Sequence, residues 1–254
     1  MSIPTFSLED KVSLVTGSRR GIGRAIALAF AKAGADVAVC DVVFDNGELE
    51  AVEDEIRKLG QRSLALKADT SKKPDVEAMV KKMVEQFGAI DILVNGAAIV
   101  VRESILDMSE EDWDKQTDIN LKGYFLCTQA VGKIMKDRKS GNIINIASDL
   151  ALQPDPGVGA YCVVKAGVVM LTRVLAKELG GYGIRANAIA PGLTKTEMGR
   201  PLWENSALLK QMEATIPMGR IGETNDLVGA ALFLASKASS YITGHTLLVN
   251  GGYI

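Results

Sequence analysis

Three residues in the middle of the chain have side chains that could move a proton on and off an alcohol oxygen. Tyr161 and Lys165 lie four residues apart, and Ser148 precedes Tyr161 by thirteen residues. On a helix, positions i and i+4 share one face, so the phenol and the ammonium can converge on one site. An ammonium held beside a phenol favours the phenolate and lowers its pKa toward neutral pH. The trio therefore predicts acid–base chemistry at an alcohol or carbonyl oxygen.

The composition is that of an ordinary globular domain and excludes several function classes. The chain has 254 residues, of which 47% are hydrophobic and 24% charged, with a formal net charge of −2. It lacks the basic excess that attracts nucleic acid or anionic membranes, so we predict neither partner. We also predict no metal, because Cys40, Cys127 and Cys162 lack metal-ligand spacing and His245 is the only histidine. A serine hydrolase is also not predicted, because such enzymes need a histidine as the base and the chain has only His245.

Several features predict a cytoplasmic protein. The first residues show no secretory signal pattern, and no uninterrupted apolar run reaches membrane-spanning length. A sparse, odd set of cysteines fits a reducing compartment.

Short β-branched runs alternate with longer helical patterns along the whole chain. The predicted strands are 12–16, 36–41, 63–67, 91–95, 142–147, 184–190 and 246–249, and the predicted helices are 21–32, 46–59, 74–87, 110–135, 161–179 and 225–235. Strands that are apolar on both faces, separated by helices, indicate a parallel sheet covered on both sides. We predict an α/β fold, a single doubly wound, Rossmann-type domain over 1–254. The less regular segment 193–218 follows a strand end and is predicted to cover a ligand site.

The turn between the first strand and the first helix is rich in glycine. It reads Thr16-Gly17-Ser18-Arg19-Arg20-Gly21-Ile22-Gly23, so its glycines follow the pattern Gly-x-x-x-Gly-x-Gly. Glycines permit a tight turn in which backbone amides approach a pyrophosphate, and a helix N-terminus attracts the same group. With its strand–turn–helix setting, this motif predicts a dinucleotide site formed by Gly17, Arg20, Gly21, Ile22 and Gly23.

The end of the second strand indicates which dinucleotide binds. Asp41 lies there, and its carboxylate can accept from both ribose hydroxyls while repelling a 2′-phosphate. Arg20 argues in the other direction, because an arginine near the ribose could pair with that phosphate. A carboxylate penalises the phosphate directly, whereas Arg20 could point to solvent, so we predict NAD rather than NADP.

Further motifs follow in order along the chain. They are Asp69-Thr70, Asn95-Gly96-Ala97-Ala98, Asn120, Ser148, the Tyr161–Lys165 pair, Pro191-Gly192 and the ending 242–252. Together with the glycine turn, this set resembles the short-chain dehydrogenase/reductase family over essentially the whole length. The family usually has Asn-Asn-Ala-Gly where this chain has Asn95-Gly96-Ala97-Ala98, so the turn beside the nicotinamide ribose is expected to differ slightly.

The resemblance implies a role for each catalytic candidate. Tyr161 would be the acid/base, and Lys165 would lower its pKa and hydrogen-bond the nicotinamide ribose. Ser148 would donate to the reacting oxygen, and Asn120 would hold a water that links Lys165 to solvent. A helix-interior asparagine bonded to backbone is the alternative account of Asn120.

The resemblance also implies further cofactor contacts. Asp69 would meet the adenine, although an aspartate at a strand end is often a turn or helix cap. Thr194 and Thr196 would reach the nicotinamide carboxamide or the pyrophosphate, with two exposed loop threonines as the alternative. The remaining implied cofactor residues are Thr70, Asn95, Pro191 and Gly192.

We predict reversible hydride transfer between NAD(H) and a secondary alcohol/ketone pair, most favourably a sugar, polyol or hydroxy acid. The predicted substrate-binding residues are Ser148, Asp149, Gln153, Tyr161, Met198 and Trp203, with Leu150 and Val158 nearby. The first alternative is a 3-oxoacyl-thioester reductase, for which Lys133, Lys136, Arg138 and Lys139 could provide part of a basic patch. Asp41 and the turn 180–183, which lacks the arginine such reductases tend to have, argue against it.

A second alternative belongs to another class: a nucleotide-sensing regulator without turnover. The intact Ser148–Tyr161–Lys165 set argues against it, because a sensor has no need of the phenol. The resemblance further implies a homotetramer, to whose interface the apolar end at Tyr253 and Ile254 could contribute.

Overall fold

The computed structural model describes residues 5–254, which form one parallel sheet with helices on both faces. The strands are β1 (Val12–Thr16), β2 (Asp36–Asp41), β3 (Ser63–Lys67), β4 (Ile92–Asn95), β5 (Gly141–Ile146), β6 (Ile184–Pro191) and β7 (Thr246–Val249). Their spatial order is β3-β2-β1-β4-β5-β6-β7, and every neighbouring pair is parallel. The strand order reverses between β1 and β4, and ligands of such sheets bind beyond the carboxyl ends of the strands at that point.

The helices form one layer on each face of the sheet. They are α1 (Gly21–Lys32), α2 (Glu48–Lys58), α3 (Lys73–Phe87), α4 (Glu110–Thr117), α5 (Gly123–Arg138), α6 (Gly159–Leu179), α7 (Arg200–Trp203), α8 (Ser206–Thr215) and α9 (Val228–Ala235). Buried residues of α1, α2 and α9 share one core with Val15, and those of α3, α5 and α6 share the other with Leu14. Adjacent β1 residues thus face opposite cores, which explains the apolar strands and confirms the doubly wound fold.

Most predicted elements agree with the structure to within two residues at each end. β1, α1, β2, β3 and β7 have the predicted bounds. α2 begins at Glu48 rather than at 46, because Gly47 has the left-handed φ of 74° and cannot be part of the helix. The predicted helix 225–235 begins as a tight 3-10 turn, Thr224–Leu227, which continues into α9.

The predicted helical stretch over 110–135 is confirmed, but it is not one regular α-helix. The chain forms α4, then a π-helical turn at Asp118–Lys122, then α5. A π turn spaces its hydrogen bonds by five residues instead of four, so it changes which side chains face the sheet without ending the helical course. Sequence periodicity did not reveal it, because every residue of the turn is compatible with an ordinary helix.

α6 is the central helix of the second layer. Together with the turn that follows, Gly159–Tyr182, it is long and apolar enough to cross a membrane, with a mean hydropathy of 1.5 over its most apolar window. One face of α6 is buried, including Val168 and Lys165, and the helix packs closely on β6. These contacts identify it as a core helix of the sheet.

The segment 193–218 is more regular than predicted, since it contains α7 and α8. Its start is tied down by Trp203, whose Nε1 donates to the carbonyl oxygen of Thr196 at 2.8 Å. Its end is tied to the C-terminal turn, where the Met218 amide donates to the Gly251 carbonyl at 3.2 Å. The first of these bonds closes the segment on itself, and the second fixes its end to the C-terminal turn. Its covering of a ligand site stays a prediction.

Candidate active site

The glycine-rich turn between β1 and α1 is so tight that two positions have no room for a side chain. Gly17 has a φ of +66°, and a Cβ there would lie 2.7 Å from the backbone of Ala97. A Cβ on Gly23 would lie 2.3 Å from the carbonyl oxygen of Gly17. Gly21 also has a positive φ, of 61°, and Ile22 follows it in the first turn of α1. Only glycine can form this turn, and it leads directly into the N-terminus of α1, an arrangement that fits a pyrophosphate.

Thr16 joins this turn to the one that follows β4. Its hydroxyl accepts from the Gly96 amide at 3.0 Å and donates to the Val94 carbonyl at 3.3 Å. A Cβ on Gly96 would lie 2.8 Å from the carbonyl oxygen of Thr16, so the glycine that departs from the usual motif is closely packed. Asn95 is fully buried, and its amide donates to Asn145 at 2.9 Å. Its side chain thus ties β4 to β5, and its cofactor role stays a prediction.

An arginine that the sequence reasoning passed over lies beside Asp41. The Nε of Arg19 is 3.5 Å from a carboxylate oxygen of Asp41, and its guanidinium also contacts the Glu48 carboxylate. Arg20, which the sequence pointed to, is exposed. The two arginines are adjacent in one turn, so only the backbone course decides which of them faces the end of β2.

The orientation of Arg19 leaves one of its polar atoms without a partner. Its Nε is buried and has no hydrogen-bond partner within residues 5–254. A buried donor without a partner is costly, and an oxygen atom of a bound ribose or phosphate could satisfy it. The glycine turn and this donor together fit a dinucleotide at the switch point of the sheet.

Asp69 has the turn-forming role that was its alternative account. Its carboxylate accepts from the Ser71 amide at 3.0 Å and the Ser71 hydroxyl at 2.6 Å, and it pairs with Lys72 at 3.2 Å. Burial raises the pKa of Asp69, but Ser71 and Lys72 together bring it below its ordinary value. A cavity of about 350 Å³ lies alongside, lined by Val42, Lys67, Asp69, Lys72, Asp75 and Ala78. Asp69 therefore borders a space beyond β3 on the adenosine side of the switch point.

Thr70 follows directly and is buried. A Cβ on Gly123 would lie 3.0 Å from its hydroxyl oxygen, so Thr70 packs against the start of α5.

The three proposed acid–base residues converge beyond the carboxyl end of β5. Ser148 is buried two residues after β5; its hydroxyl accepts from the Leu150 amide at 3.2 Å and donates to Asp149 at 3.3 Å. Tyr161 and Lys165 lie on α6, with the Lys165 nitrogen 5.6 Å from the centroid of the Tyr161 ring. The Ser148 hydroxyl also lies near enough to the Tyr161 phenol to lower its pKa. The structure thus brings the trio together as the sequence predicts.

The expected lowering of the Tyr161 pKa by Lys165 is not the net effect within the protein. Burial raises the pKa of the Tyr161 phenol above its ordinary value, and the Asp149 carboxylate raises it further. Ser148 and Arg102 oppose this rise without reversing it. Burial also lowers the pKa of Lys165, to about 7. Desolvation is the largest cause of both shifts.

Lys165 has two partners on other elements. Its Nζ donates to the Ile146 carbonyl at 2.7 Å and to the Tyr124 hydroxyl at 3.3 Å. Ile146 ends β5 and Tyr124 lies in the first turn of α5. Tyr124 was absent from the sequence-based candidates, because an apolar helix with one tyrosine gives no sign that its hydroxyl faces a lysine.

Asn120 lies in the π turn and holds the loop that follows β4. Its side-chain oxygen accepts from the Ile99 amide at 2.8 Å, and its side-chain nitrogen donates to the Ile99 carbonyl at 2.8 Å. The side chain of Asn120 is therefore bonded to the backbone, as in the alternative account. Its role in holding a water stays a prediction.

The loop held by Asn120 carries a third residue that the sequence reasoning missed, Arg102. Glu103 forms a parallel β-bridge with Val158, which directly precedes α6. This contact brings Arg102 to the start of α6, and its exposed guanidinium lowers the pKa of Tyr161 against the effect of burial. Nothing in the sequence singles out Arg102, because it lies four residues beyond the Asn95–Ala98 motif and belongs to no recognisable motif.

The predicted substrate residues differ in exposure. Asp149 is buried beside Ser148, and burial raises its pKa. Gln153 is exposed, in accord with its solvent-facing alternative, and Met198 is 38% exposed. Trp203 is half-buried and has Lys195 over its ring. Their contacts with a substrate stay predictions.

The threonines after β6 approach the glycine turn. A Cβ on Gly21 would lie 3.5 Å from the side chain of Thr196, which therefore faces the start of α1. Thr194 is buried, and its hydroxyl donates to the Gly192 carbonyl at 2.9 Å. Pro191 ends β6, and the Gly192 amide donates to Val249 of β7 at 3.1 Å. This arrangement favours Thr196 over Thr194 as the residue that faces the cofactor groove.

Comparisons with known proteins agree with this geometry. The family model described as "Enoyl-(Acyl carrier protein) reductase" matches residues 17–254. The chain is 43% identical over 243 residues to the 3-oxoacyl-[acyl-carrier-protein] reductase FabG of Staphylococcus epidermidis, covering 96% of this chain and 98% of that protein. It is 39% identical over 255 residues to the 2-dehydro-3-deoxy-D-gluconate 5-dehydrogenase of Escherichia coli K12, covering 100% of this chain and 99% of that protein.

A solved structure gives the same result. The gluconate 5-dehydrogenase of Burkholderia cenocepacia J2315, in complex with NADP and tartrate, superposes with a TM-score of 0.93 at 36% identity, covering 98% of this chain and 96% of that one. A nicotinamide-dependent oxidoreductase acting on CH–OH groups is thus the class that the fold, the site and the relatives define. The chain belongs to the short-chain dehydrogenase/reductase family.

Proposed function

We propose that this protein interconverts a small polar secondary alcohol and the corresponding ketone with NAD(H), and that a hydroxy acid or sugar acid is the preferred substrate. The observation that carries the proposal is the convergence of Ser148, Tyr161 and Lys165 beyond β5, at the same edge of the sheet as the glycine turn after β1. A phenol beside a lysine and a hydroxyl donor is equipped for proton transfer at one oxygen atom.

Each of the three residues has one task. In alcohol oxidation, the Tyr161 phenolate accepts the hydroxyl proton, and in ketone reduction the phenol returns it. Ser148 donates a hydrogen bond to the same oxygen, which stabilises the charge that develops there. The dinucleotide, when bound, donates or accepts the hydride. Lys165, when protonated, favours the phenolate, because a nearby positive charge stabilises the charged form of a phenol.

The surroundings of Asp41 support NAD over NADP. Arg19 is the cation closest to that carboxylate, and it is already engaged by Asp41 and Glu48. An arginine neutralised by two carboxylates attracts a 2′-phosphate weakly, and the negative charge of Asp41 repels it. NADP in the structure of a relative that is 36% identical makes this preference a point for measurement.

Arg102 and Asp149 support a substrate that carries both an anion and hydroxyl groups. Arg102 is exposed at the start of α6 and has no ion-pair partner within the described residues 5–254. A guanidinium can bind a carboxylate through two parallel hydrogen bonds. Asp149, beside Ser148, can accept from a neighbouring hydroxyl. Tartrate in the related gluconate 5-dehydrogenase is a hydroxy acid of this kind.

A 3-oxoacyl thioester carried by an acyl carrier protein is the second candidate, favoured by the 43% identity to FabG. The predicted basic patch gives it little support. Lys136 stacks on Tyr182 with its nitrogen 4.5 Å from the ring centroid, and Arg138 pairs with Asp91 at 3.2 Å. The patch also lies at the C-terminal end of α5, which at ~1.5 Å per residue is roughly 20 Å from the helix start near Lys165.

The homotetramer and the cytoplasmic location belong to the proposal as well. The outer faces of α5 and α6 expose large apolar side chains, among them Phe125, Val163, Met170 and Val174, which are 41–55% exposed. Apolar side chains clustered on neighbouring helices favour burial against a second copy of the chain. A monomeric mass in solution would refute this part.

The test is a screen of hydroxy acids, sugar acids, polyols and 3-oxoacyl thioesters with both cofactors, followed through the absorbance of the reduced nicotinamide. We expect turnover of a hydroxy acid or sugar acid with NAD. Tyr161→Phe should abolish turnover while NADH still binds, as judged by its fluorescence. Near-normal turnover in that variant would refute the mechanism, and exclusive turnover of thioesters would select the second candidate.

A further inference from the structure

The second tyrosine at the site, Tyr124, is among the most deeply buried large side chains of the protein. It is 1% exposed and packs with Ala147, Val168 and Ala190, which belong to the ends of β5 and β6 and to α6. It lies immediately after the π turn, and such turns recur at functional sites. Tyr124 therefore connects α5 to the elements that carry the acid–base residues.

The hydroxyl of Tyr124 has a partner on each side. It donates to the Ile146 carbonyl at 3.1 Å and accepts from Lys165 Nζ at 3.3 Å. Lys165 donates to the same carbonyl at 2.7 Å, so the three polar groups form a closed triangle. The lysine nitrogen also lies 5.0 Å from the centroid of the Tyr124 ring, within the range of a cation–π interaction.

This triangle leaves one N–H of the ammonium for other partners. An ammonium has three donors, and two are taken by Ile146 and Tyr124 within the described part of the chain. The direction of the third N–H is consequently restricted by the other two. A flexible lysine side chain needs such restraint, because its four rotatable bonds otherwise allow the nitrogen to occupy many positions.

We propose that Tyr124 is a positioning residue for this site: its hydroxyl and ring hold the Lys165 nitrogen at the end of β5 and favour its charged form, so that the charge acts on Tyr161. The effect on catalysis rests on the proposed function. The contact by which Tyr124 positions Lys165 does not depend on that function.

The electrostatic reason is the burial of Lys165. Burial disfavours the ammonium and lowers the pKa of Lys165 to about 7, so each acceptor that faces it matters for its protonation near neutral pH. Tyr124 stays a neutral phenol, because burial raises its pKa well above the ordinary value and Tyr161 adds to the rise. The titratable groups around the two phenols are Asp149, Arg102, Cys162 and Cys127.

Tyr124→Phe tests the proposal, since it keeps the ring and removes only the hydroxyl. Without that acceptor the ammonium is less favourable, Lys165 loses its proton at lower pH, and the Tyr161 phenolate loses support. We expect the acid limb of the kcat profile for alcohol oxidation to move up by roughly 0.5–1 pH unit, with NADH affinity changed less than about threefold. Tyr182→Phe is the matched control, because Tyr182 also lies against a lysine, Lys136, but far from the site.

A second readout does not depend on turnover. Lys165 has a lower pKa in the folded chain than in the unfolded chain, so unfolding takes up a proton between pH ~7 and ~10.5, and stability rises with pH across that window. The hydroxyl of Tyr124 stabilises the charged form of Lys165 more than its neutral form. The loss of stability in Tyr124→Phe, measured by denaturant unfolding, should therefore be larger at pH 6 than at pH 9, whereas Tyr182→Phe should show a constant difference.

The outcomes separate the two proposals. An equal stability loss at both pH values together with an unmoved acid limb would overturn the role of Tyr124 and leave it a packing residue. Absence of turnover in the unaltered protein would overturn the proposed function, and the unfolding measurement would still decide the hold on Lys165.

Discussion

Asp41→Asn should convert the cofactor preference of this enzyme toward NADP. The substitution keeps the size of the side chain and an oxygen that can accept from the Val43 amide, now 3.0 Å from Asp41 Oδ1. It removes the negative charge and frees Arg19 from one of its two carboxylate partners. Arg19 would then be free to pair with a 2′-phosphate, and the repulsion by Asp41 would be gone.

The magnitude follows from the position of the carboxylate. Two unit charges 4 Å apart interact by about 4 kcal/mol at an effective dielectric constant of 20. The side chain of Asp41 is 14% exposed, and we take about half of that value, ~2 kcal/mol, for the relief of repulsion after solvent screening. NAD loses a charge-assisted hydrogen bond and keeps a neutral one, at a cost of about 1 kcal/mol. The sum of ~3 kcal/mol corresponds to a change of about 100-fold in selectivity.

The assay is the ratio of kcat/KM with NADP to kcat/KM with NAD for one alcohol, with binding of each reduced cofactor measured separately by fluorescence. Asp45→Asn is the matched control, because Asp45 lies in the loop after β2 but is exposed and paired with Lys67. We expect a large rise in the ratio for Asp41→Asn and none for the control. A change below about threefold in both measurements would refute the assignment of Asp41 to the ribose.

Two further predictions concern the substrate end of the site. Asp149→Asn removes a carboxylate that raises the pKa of Tyr161, so the acid limb of the kcat profile for alcohol oxidation should move to lower pH. This shift is opposite to the one expected for Tyr124→Phe. Asp155→Asn is the control, and a shift of the acid limb to higher pH in Asp149→Asn would contradict the reasoning. Arg102→Gln removes the cation at the start of α6, so the KM for carboxylate-bearing alcohols should rise about 10-fold, while the KM for neutral polyols should stay within about twofold. Equal changes in both KM values would exclude a contact between Arg102 and the substrate carboxylate.

The placement of Tyr161 and Lys165 on one helix could be predicted because it depends on local periodicity. Tyr161 and Lys165 share a face of α6 since they are four residues apart on a helix. The strands were recognisable from apolar runs, and parallel strands align their carboxyl ends by necessity. That the glycine turn, Asp41 and Ser148 lie at one edge of the sheet follows from that rule alone.

Residues that act through long-range contacts escaped prediction. Arg19 and Arg20 are adjacent and chemically equal, and only the φ angles of the turn around Gly17 and Gly21 decide which one meets Asp41. Tyr124 is separated from Lys165 by 41 residues, so no local pattern links them. The pKa of Tyr161 had the wrong predicted direction, because burial, which outweighs the neighbouring charges, cannot be read from spacing.

By itself, the order of residue types determined the parallel α/β architecture, and it pointed to the glycine turn and to the trio for which we propose proton transfer. These depend on repeats of two and about 3.6 residues and on turns only glycine can make, all of which are local properties of the chain. The tertiary structure alone decided which arginine neutralises Asp41, which hydroxyl holds Lys165, and how far desolvation changes the proton affinities of the two. Those outcomes depend on distances between segments far apart in the chain and on the exclusion of water between them.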